Sequence, residues 1–195
     1  MTKIAIFWVL LASLSASALG QIDTILLNLG THTEFYDNVQ TDSSGKTRKF
    51  DFAPTLGAGL KLHMNEHWFF LPEFNWVLPQ EAGSDRIIKN TFMFRADFGY
   101  SALDWLRLRA GTSLLWHNQH GRGGSANINN GNETSKFYYP DENRSSLNNT
   151  LDFGAEALWQ EWAVRLQTYI YSVFKEDKRQ VSYTLFFTYY WDHKE

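Results

Sequence analysis

Between Val181 and Trp191 the chain alternates. Val181, Tyr183, Leu185, Phe187, Tyr189 and Trp191 occupy one phase, and Ser182, Thr184 and Thr188 the other. Successive side chains of a β-strand point to opposite faces, so a period of two predicts a strand with one apolar and one polar face. The pattern recurs over eight segments, at roughly Thr24–Tyr36, Phe50–Met64, Trp68–Val77, Thr91–Tyr100, Trp105–His117, Leu147–Trp159, Trp162–Phe174 and Val181–Trp191. Most exceed the roughly five or six residues usual for a strand. They match the ~9–11 that a tilted strand needs to cross a bilayer.

The connections alternate as well. Asn65–His67, Ser101–Asp104 and Gln160–Glu161 are tight, whereas Asp37–Lys49, Leu78–Asn90, Asn118–Ser146 and Lys175–Gln180 are longer and polar. Short turns on one side and long loops on the other predict an antiparallel up-and-down barrel, with the turns and both termini periplasmic. An even number of strands closes such a meander and leaves no edge, which lipid requires because unpaired backbone groups there are costly. Trp68, Trp105, Trp159, Trp162 and Trp191 fall beside the short turns or the last strand's end, and Trp76 and Trp116 near the opposite ends. Rings gathered at both ends predict the aromatic girdles of the two membrane interfaces.

Volume decides which phase faces out. An eight-stranded barrel has an interior only wide enough for side chains or one small ligand. The apolar phase carries Phe50, Phe52, Leu56, Trp68, Phe70, Phe74, Trp76, Phe92, Phe94, Phe98, Trp116, Phe153 and Phe187, too much bulk for that interior, so it faces lipid. The other phase then lines the lumen with Asp51, Lys61, Glu73, Arg95, Asp97, Arg107, Arg109, Asp152, Glu156 and Arg165. Acids and bases nearly balance, as buried charges must. Gly30, Gly57, Gly59, Gly99, Gly111 and Gly154 share this phase and leave room for long side chains to cross. The expected lumen is a plugged, salt-bridged core rather than an open channel.

Composition adds the targeting. Lys3, the apolar run Ile4–Leu14 and the small residues Ser15–Gly20 read as a cleavable signal peptide over 1–20, cut after Gly20 or Ala18, with the barrel over 21–195. The run is too short to span a bilayer as a helix, which needs about 20 residues. Aromatic residues make up 16% of the chain, yet mean hydropathy is −0.37 because polar residues alternate with them. The net charge of −3 gives no reason to expect nucleic acid as a partner. Absence of cysteine removes disulfides, thiolate metal sites and a thiol nucleophile. No cofactor or metal is expected.

The layout resembles the small eight-stranded barrels of the Gram-negative outer membrane, of the kind seen in the OmpA transmembrane domain and the OmpX and OmpW groups. The resemblance implies outer-membrane lipid and lipopolysaccharide as surroundings. It also implies a terminal aromatic read by the barrel-assembly machinery; Trp191, after Phe187 and Tyr189 and before Asp192–Glu195, is the candidate.

Catalytic signals are sparse. A lipid A-modifying hydrolase needs a serine activated by histidine, with an acid orienting it. His117 and His120 lie near an outer rim, but Ser113 falls deeper on the inward phase. His63 and His67 straddle a tight turn with only Glu66 beside them, and the adjacent Asp141 and Glu142 point apart on an extended chain. The segment 118–146 is rich in Gly, Asn and Ser, with Phe137, Tyr138 and Tyr139 inserted as candidates for contact with an extracellular ligand or with the barrel rim. The sequence thus predicts a non-enzymatic structural or surface-interaction barrel. Alternatives are a narrow pore or hydrophobic-solute channel of OmpW type, suggested by the inward Leu26, Phe69, Leu71 and Leu115, and a lipid A-modifying enzyme.

Overall fold

A computed structural model describes residues 24–41, 47–82, 87–129, 134–139, 141–174 and 179–192. The expected signal segment lies outside these residues. Ten strands follow in chain order: β1 (Thr24–Thr41), β2 (Thr47–His63), β3 (Trp68–Ala82), β4 (Ile87–Leu103), β5 (Leu106–Gly121), β6 (Ser125–Asn129), β7 (Thr134–Tyr138), β8 (Asn143–Trp159), β9 (Trp162–Tyr171) and β10 (Gln180–Asp192). Eight of them close a barrel in the order β1-β10-β9-β8-β5-β4-β3-β2, and β6 and β7 form a separate two-stranded ribbon. Every barrel pair is antiparallel. The seam joins the first strand to the last: Thr24 pairs with Asp192, and its hydroxyl donates to the Asp192 carboxylate at 2.8 Å.

Tight turns gather at the seam end. At 64–67 the Asn65 side-chain oxygen accepts from the backbone N–H groups of His67 and Trp68, at 3.0 and 2.9 Å. Asparagine thereby adds to the backbone bonds that the Met64 and Asn65 N–H groups donate to the Trp68 carbonyl. Gln160 turns the chain between β8 and β9 in the left-handed region, φ 55°.

The strands rise higher at the other end than alternation predicts. β1 continues to Thr41, β2 starts at Thr47, β3 and β4 extend through most of 78–90, and β8 starts at Asn143. Beyond the lipid both faces of a strand meet water, so the apolar phase disappears while backbone pairing continues, as in Gln80↔Lys89 and His120↔Asn143. Pro79, which has no N–H for the ladder, sits in the register shift between Val77 and Gln80. β9 is shorter than predicted, ending at Tyr171. The segment 118–146 completes β5, carries the β6–β7 ribbon and begins β8.

Phe186 and Phe187 show how the two faces are used. Phe186 is fully buried, and its neighbour is 55% exposed. The same contrast runs round the wall, with Leu29, Phe52, Phe94, Phe153 and Leu166 outside and Leu26, Met93, Leu115 and Arg165 inside. A barrel made for water would reverse it. The predicted girdle residues Trp68, Trp76, Trp105, Trp116, Trp159, Trp162 and Trp191 are all exposed on the outer wall. Across β3, β4 and β5 the outward rings form a ladder from one rim to the other. It runs through Trp68–Tyr100 (centroids 5.0 Å apart), Phe70–Phe98 (5.2 Å), Phe74–Phe94 (5.1 Å) and Phe92–Trp116 (5.7 Å). Such cross-strand contacts add about 0.5–1.5 kcal/mol each beyond burial.

Phe94 lies between the two girdles on β4, so Phe94→Arg should destabilise the folded barrel by about 2–4 kcal/mol. The urea midpoint of the heat-modifiable band in lipid vesicles reads this directly; an unchanged midpoint would mean that the face does not meet lipid.

Candidate functional site

Inward side chains fill the lumen in three layers. Nearest the tight turns Leu26, Phe69, Leu71, Ala163 and Tyr190 pack into an apolar cluster, with Leu158 against it. Gly99 admits the Phe69 ring, since a β-carbon there would overlap it. Two of the predicted lumen charges border this cluster over the faces of its aromatic rings. Lys61 Nζ lies 5.1 Å from the Phe69 centroid, and the Arg107 guanidinium lies 5.4 Å from Phe69 and 4.9 Å from Tyr190.

Above it a charged layer spans the barrel, centred on Glu73. Its Oε1 accepts from Arg109 Nη1 at 2.6 Å and Arg165 Nη1 at 2.5 Å; its Oε2 accepts from Arg165 Nη2 at 2.9 Å, Asn28 Nδ2 at 3.0 Å and Arg95 Nη1 at 3.2 Å. One carboxylate thus ties together β1, β3, β4, β5 and β9. Glu156 takes Arg109 through Nε and Nη2, at 3.0 and 2.7 Å, and the Tyr190 hydroxyl. Arg95 also binds Asp97, and its Nε lies 3.9 Å from Asp152, which accepts from Ser113 and Thr150. Asp97 and Asp152 face Gly111 from its two neighbouring strands, and a side chain there would run into the Asp97 carboxylate. Every ionised side chain of this layer is sealed from solvent.

Seven of the ten predicted lumen charges therefore meet in one network: Glu73, Arg95, Asp97, Arg109, Asp152, Glu156 and Arg165. Lys61 and Arg107 serve the inner cluster. The side chain of Asp51 lies outside the described residues, as does that of Phe137.

Charge alone does not find the neutral members. Asn28 bridges Glu73 to Asn75 and accepts from Thr188 at 2.9 Å, and His32 shares a 2.8 Å hydrogen bond with Thr184. All of them sit in the inward phase of their strands, so the alternation already marks them. Tyr190 and Phe186 are marked the same way, two residues either side of Thr188.

Over the charged layer lies a second apolar cluster of Ala53, Val77, Met93, Leu115 and Tyr169. The inward Leu26, Phe69 and Leu71 are thus on one side of the charges and Leu115 on the other. Above this floor a vestibule of about 830 Å³ opens at the long-loop end. Parallel rows line one wall across β4, β5 and β8: Lys89–Gln119–Arg144 at the mouth and Thr91–His117–Ser146 beneath it. Thr91 and His117 share a 2.8 Å hydrogen bond.

The candidate catalytic groups are dispersed. Ser113 donates to Asp152 inside the charged layer, His117 lies in the vestibule two residues above the floor residue Leu115, and His120 bonds Asn143 at the rim. His67 is exposed at its turn, 6.0 Å from the Tyr100 ring. In the outer ribbon Tyr138 is exposed with Lys136 Nζ 5.2 Å from its centroid, and Tyr139 is half-buried, its N–H bonded to the Gly124 carbonyl.

No protein-family model and no curated protein matches the sequence. Solved structures match in fold. The outer-membrane protein OprG of Pseudomonas aeruginosa aligns over 88% of this chain and 97% of its own at 9% identity, TM-score 0.50. The attachment invasion locus protein Ail of Yersinia pestis aligns over 87% and 99% at 12% identity, TM-score 0.49. Neisserial surface protein A aligns over 87% and 96% at 12% identity, TM-score 0.48. The chain is an all-β, closed eight-stranded antiparallel barrel of the small outer-membrane kind.

Removing one partner from a buried ion network leaves the others uncompensated, at a cost of about 3–5 kcal/mol. Glu73→Gln should destabilise the barrel by that order in urea titrations. Adding Arg165→Met should restore part of the loss, because it withdraws one stranded charge. Equal midpoints for Glu73→Gln and the parent would show that the layer contributes nothing to closure.

Proposed function

We propose that the protein is a plugged barrel resident in the outer membrane, with its termini periplasmic, acting as a structural or surface-interaction protein through its outer loops and the vestibule they surround. The observation that carries this reading is the stack of two apolar clusters with the Glu73 network between them. An ion crossing the lumen would have to displace arginines from carboxylates that have no water to replace them. An apolar solute would have to leave one cluster, cross the charges and reach the other. That arrangement favours a closed lumen over a hydrophobic-solute conduit. Engagement of Ser113 by Asp152, away from the outer rim, favours a non-enzymatic role over lipid A hydrolysis.

Interaction with lipopolysaccharide and delivery by the barrel-assembly machinery belong to the same proposal. They are supported by the lipid-facing outer wall and by Trp191, exposed near the end of β10 beside the seam. Planar-bilayer recordings of the refolded protein, with folding verified by an unboiled gel shift, should show no unitary steps across many insertions. Steady ohmic steps in the parent protein would overturn the closed-lumen reading.

A further inference from the structure

We infer that the vestibule is a binding site for an anionic saccharide, entered and left from the long-loop end. The inference rests on the closed-lumen reading above, since a closed floor makes the cavity a receptacle rather than a passage. Its volume, about 830 Å³, is within the range of small-molecule sites and accommodates a short oligosaccharide.

The lining selects the chemistry. Most ligand pockets are lined chiefly by hydrophobic and aromatic side chains; here most lining residues are amide, hydroxyl or basic, although their carbon atoms still supply the larger part of the surface. Side-chain amides of Gln119, Asn148 and Gln180 and the hydroxyl of Ser146 present donors and acceptors around the cavity. An apolar guest would strip water from these groups and return no hydrogen bonds, whereas a sugar ring carries hydroxyls in every direction. The Tyr171 and His117 rings lie 6.3 Å apart at 31° and offer flat faces to the C–H side of a pyranose.

Charge narrows the class further. Lys89 and Arg144 flank Gln119 on the mouth row, one on each neighbouring strand, so both cations belong to one wall. Arg144 Nη2 lies 3.7 Å from a Glu142 oxygen, but both side chains are about 70% exposed. So open an ion pair is weak, and a ligand carboxylate or phosphate can displace it. A Lys–amide–Arg row complements one anionic group held among sugar hydroxyls.

The acidic sugar has two possible sources: the phosphorylated core of the membrane's own lipopolysaccharide, or a foreign acidic glycan. Binding is measured by titration calorimetry on the full refolded barrel in lipopolysaccharide-free phosphocholine nanodiscs. The probes are phosphorylated core oligosaccharide released by mild acid, 3′-sialyllactose and neutral lactose. At least one anionic probe should bind, with lactose weaker by about tenfold or more, the value of a charge-assisted hydrogen bond. Binding of the core probe alone assigns the site to the membrane's own glycolipid, and binding of sialyllactose alone to foreign glycans. The rim variant Lys89→Gln/Arg144→Gln, verified by the gel shift, should lose that same tenfold or more for the anionic probe and leave lactose unchanged.

Three results would overturn the inference: no anionic probe bound at millimolar concentration, lactose bound as tightly as its sialylated form, or a rim variant with parental affinity. A bilayer-silent barrel with no binding removes this inference and leaves the closed lumen standing, whereas a conducting barrel removes the closed lumen itself.

Discussion

Glu73 is the point on which the barrel's interior depends. A carboxylate taken out of water is stable only if its lone pairs are filled by donors of opposite charge. Glu73 meets that condition by drawing on Asn28, Arg95, Arg109 and Arg165, from four other strands. Each donor arrives from a wall position, so the layer forms only if four registers are right together. A slip of one residue would turn the arginine of that strand out into lipid and strand its partners. The network contributes specificity of closure at least as much as stability, for an ion cluster of this kind often stabilises no more than apolar packing of the same volume.

The layers divide the labour of the lumen. Apolar clusters above and below keep water from the charges, which strengthens every ion pair in the middle. The charges in turn keep the two apolar clusters from merging into a greasy path. What remains open is the end beneath the long loops, where the rows carry amides and hydroxyls, and where the strands have outgrown the lipid.

Much of this was legible in the sequence. Strand positions, the side of each turn, the lipid-facing phase and seven of the ten lumen charges followed from alternation and volume, because lipid imposes a strict period of two. The upper strand extensions were not legible: in water both faces are polar, and Gln80 pairing with Lys89 leaves no mark in hydropathy. Nor were the separate duties of Lys61 and Arg107. Both read as charges on the inward phase, but only three-dimensional packing lays them over the rings of Phe69 and Tyr190. The neutral residues Asn28, His32 and Tyr190 were missed because charge was the criterion, although phase already placed them.

The network also bears on how the barrel is built. Glu73 lies directly opposite Arg95 in the β3–β4 hairpin, and Glu156 directly opposite Arg165 in the β8–β9 hairpin. Each hairpin therefore carries its own neutralising pair before the sheet has curled. In the closed barrel Arg165 bonds Glu73 across the lumen, and Glu156 is held by Arg109. The Glu73–Arg95 pair keeps its hydrogen bond in the closed barrel, and the contacts across the lumen are added to it. The tie between Glu73 and Arg165, made across the lumen, becomes available only when the wall has come full circle.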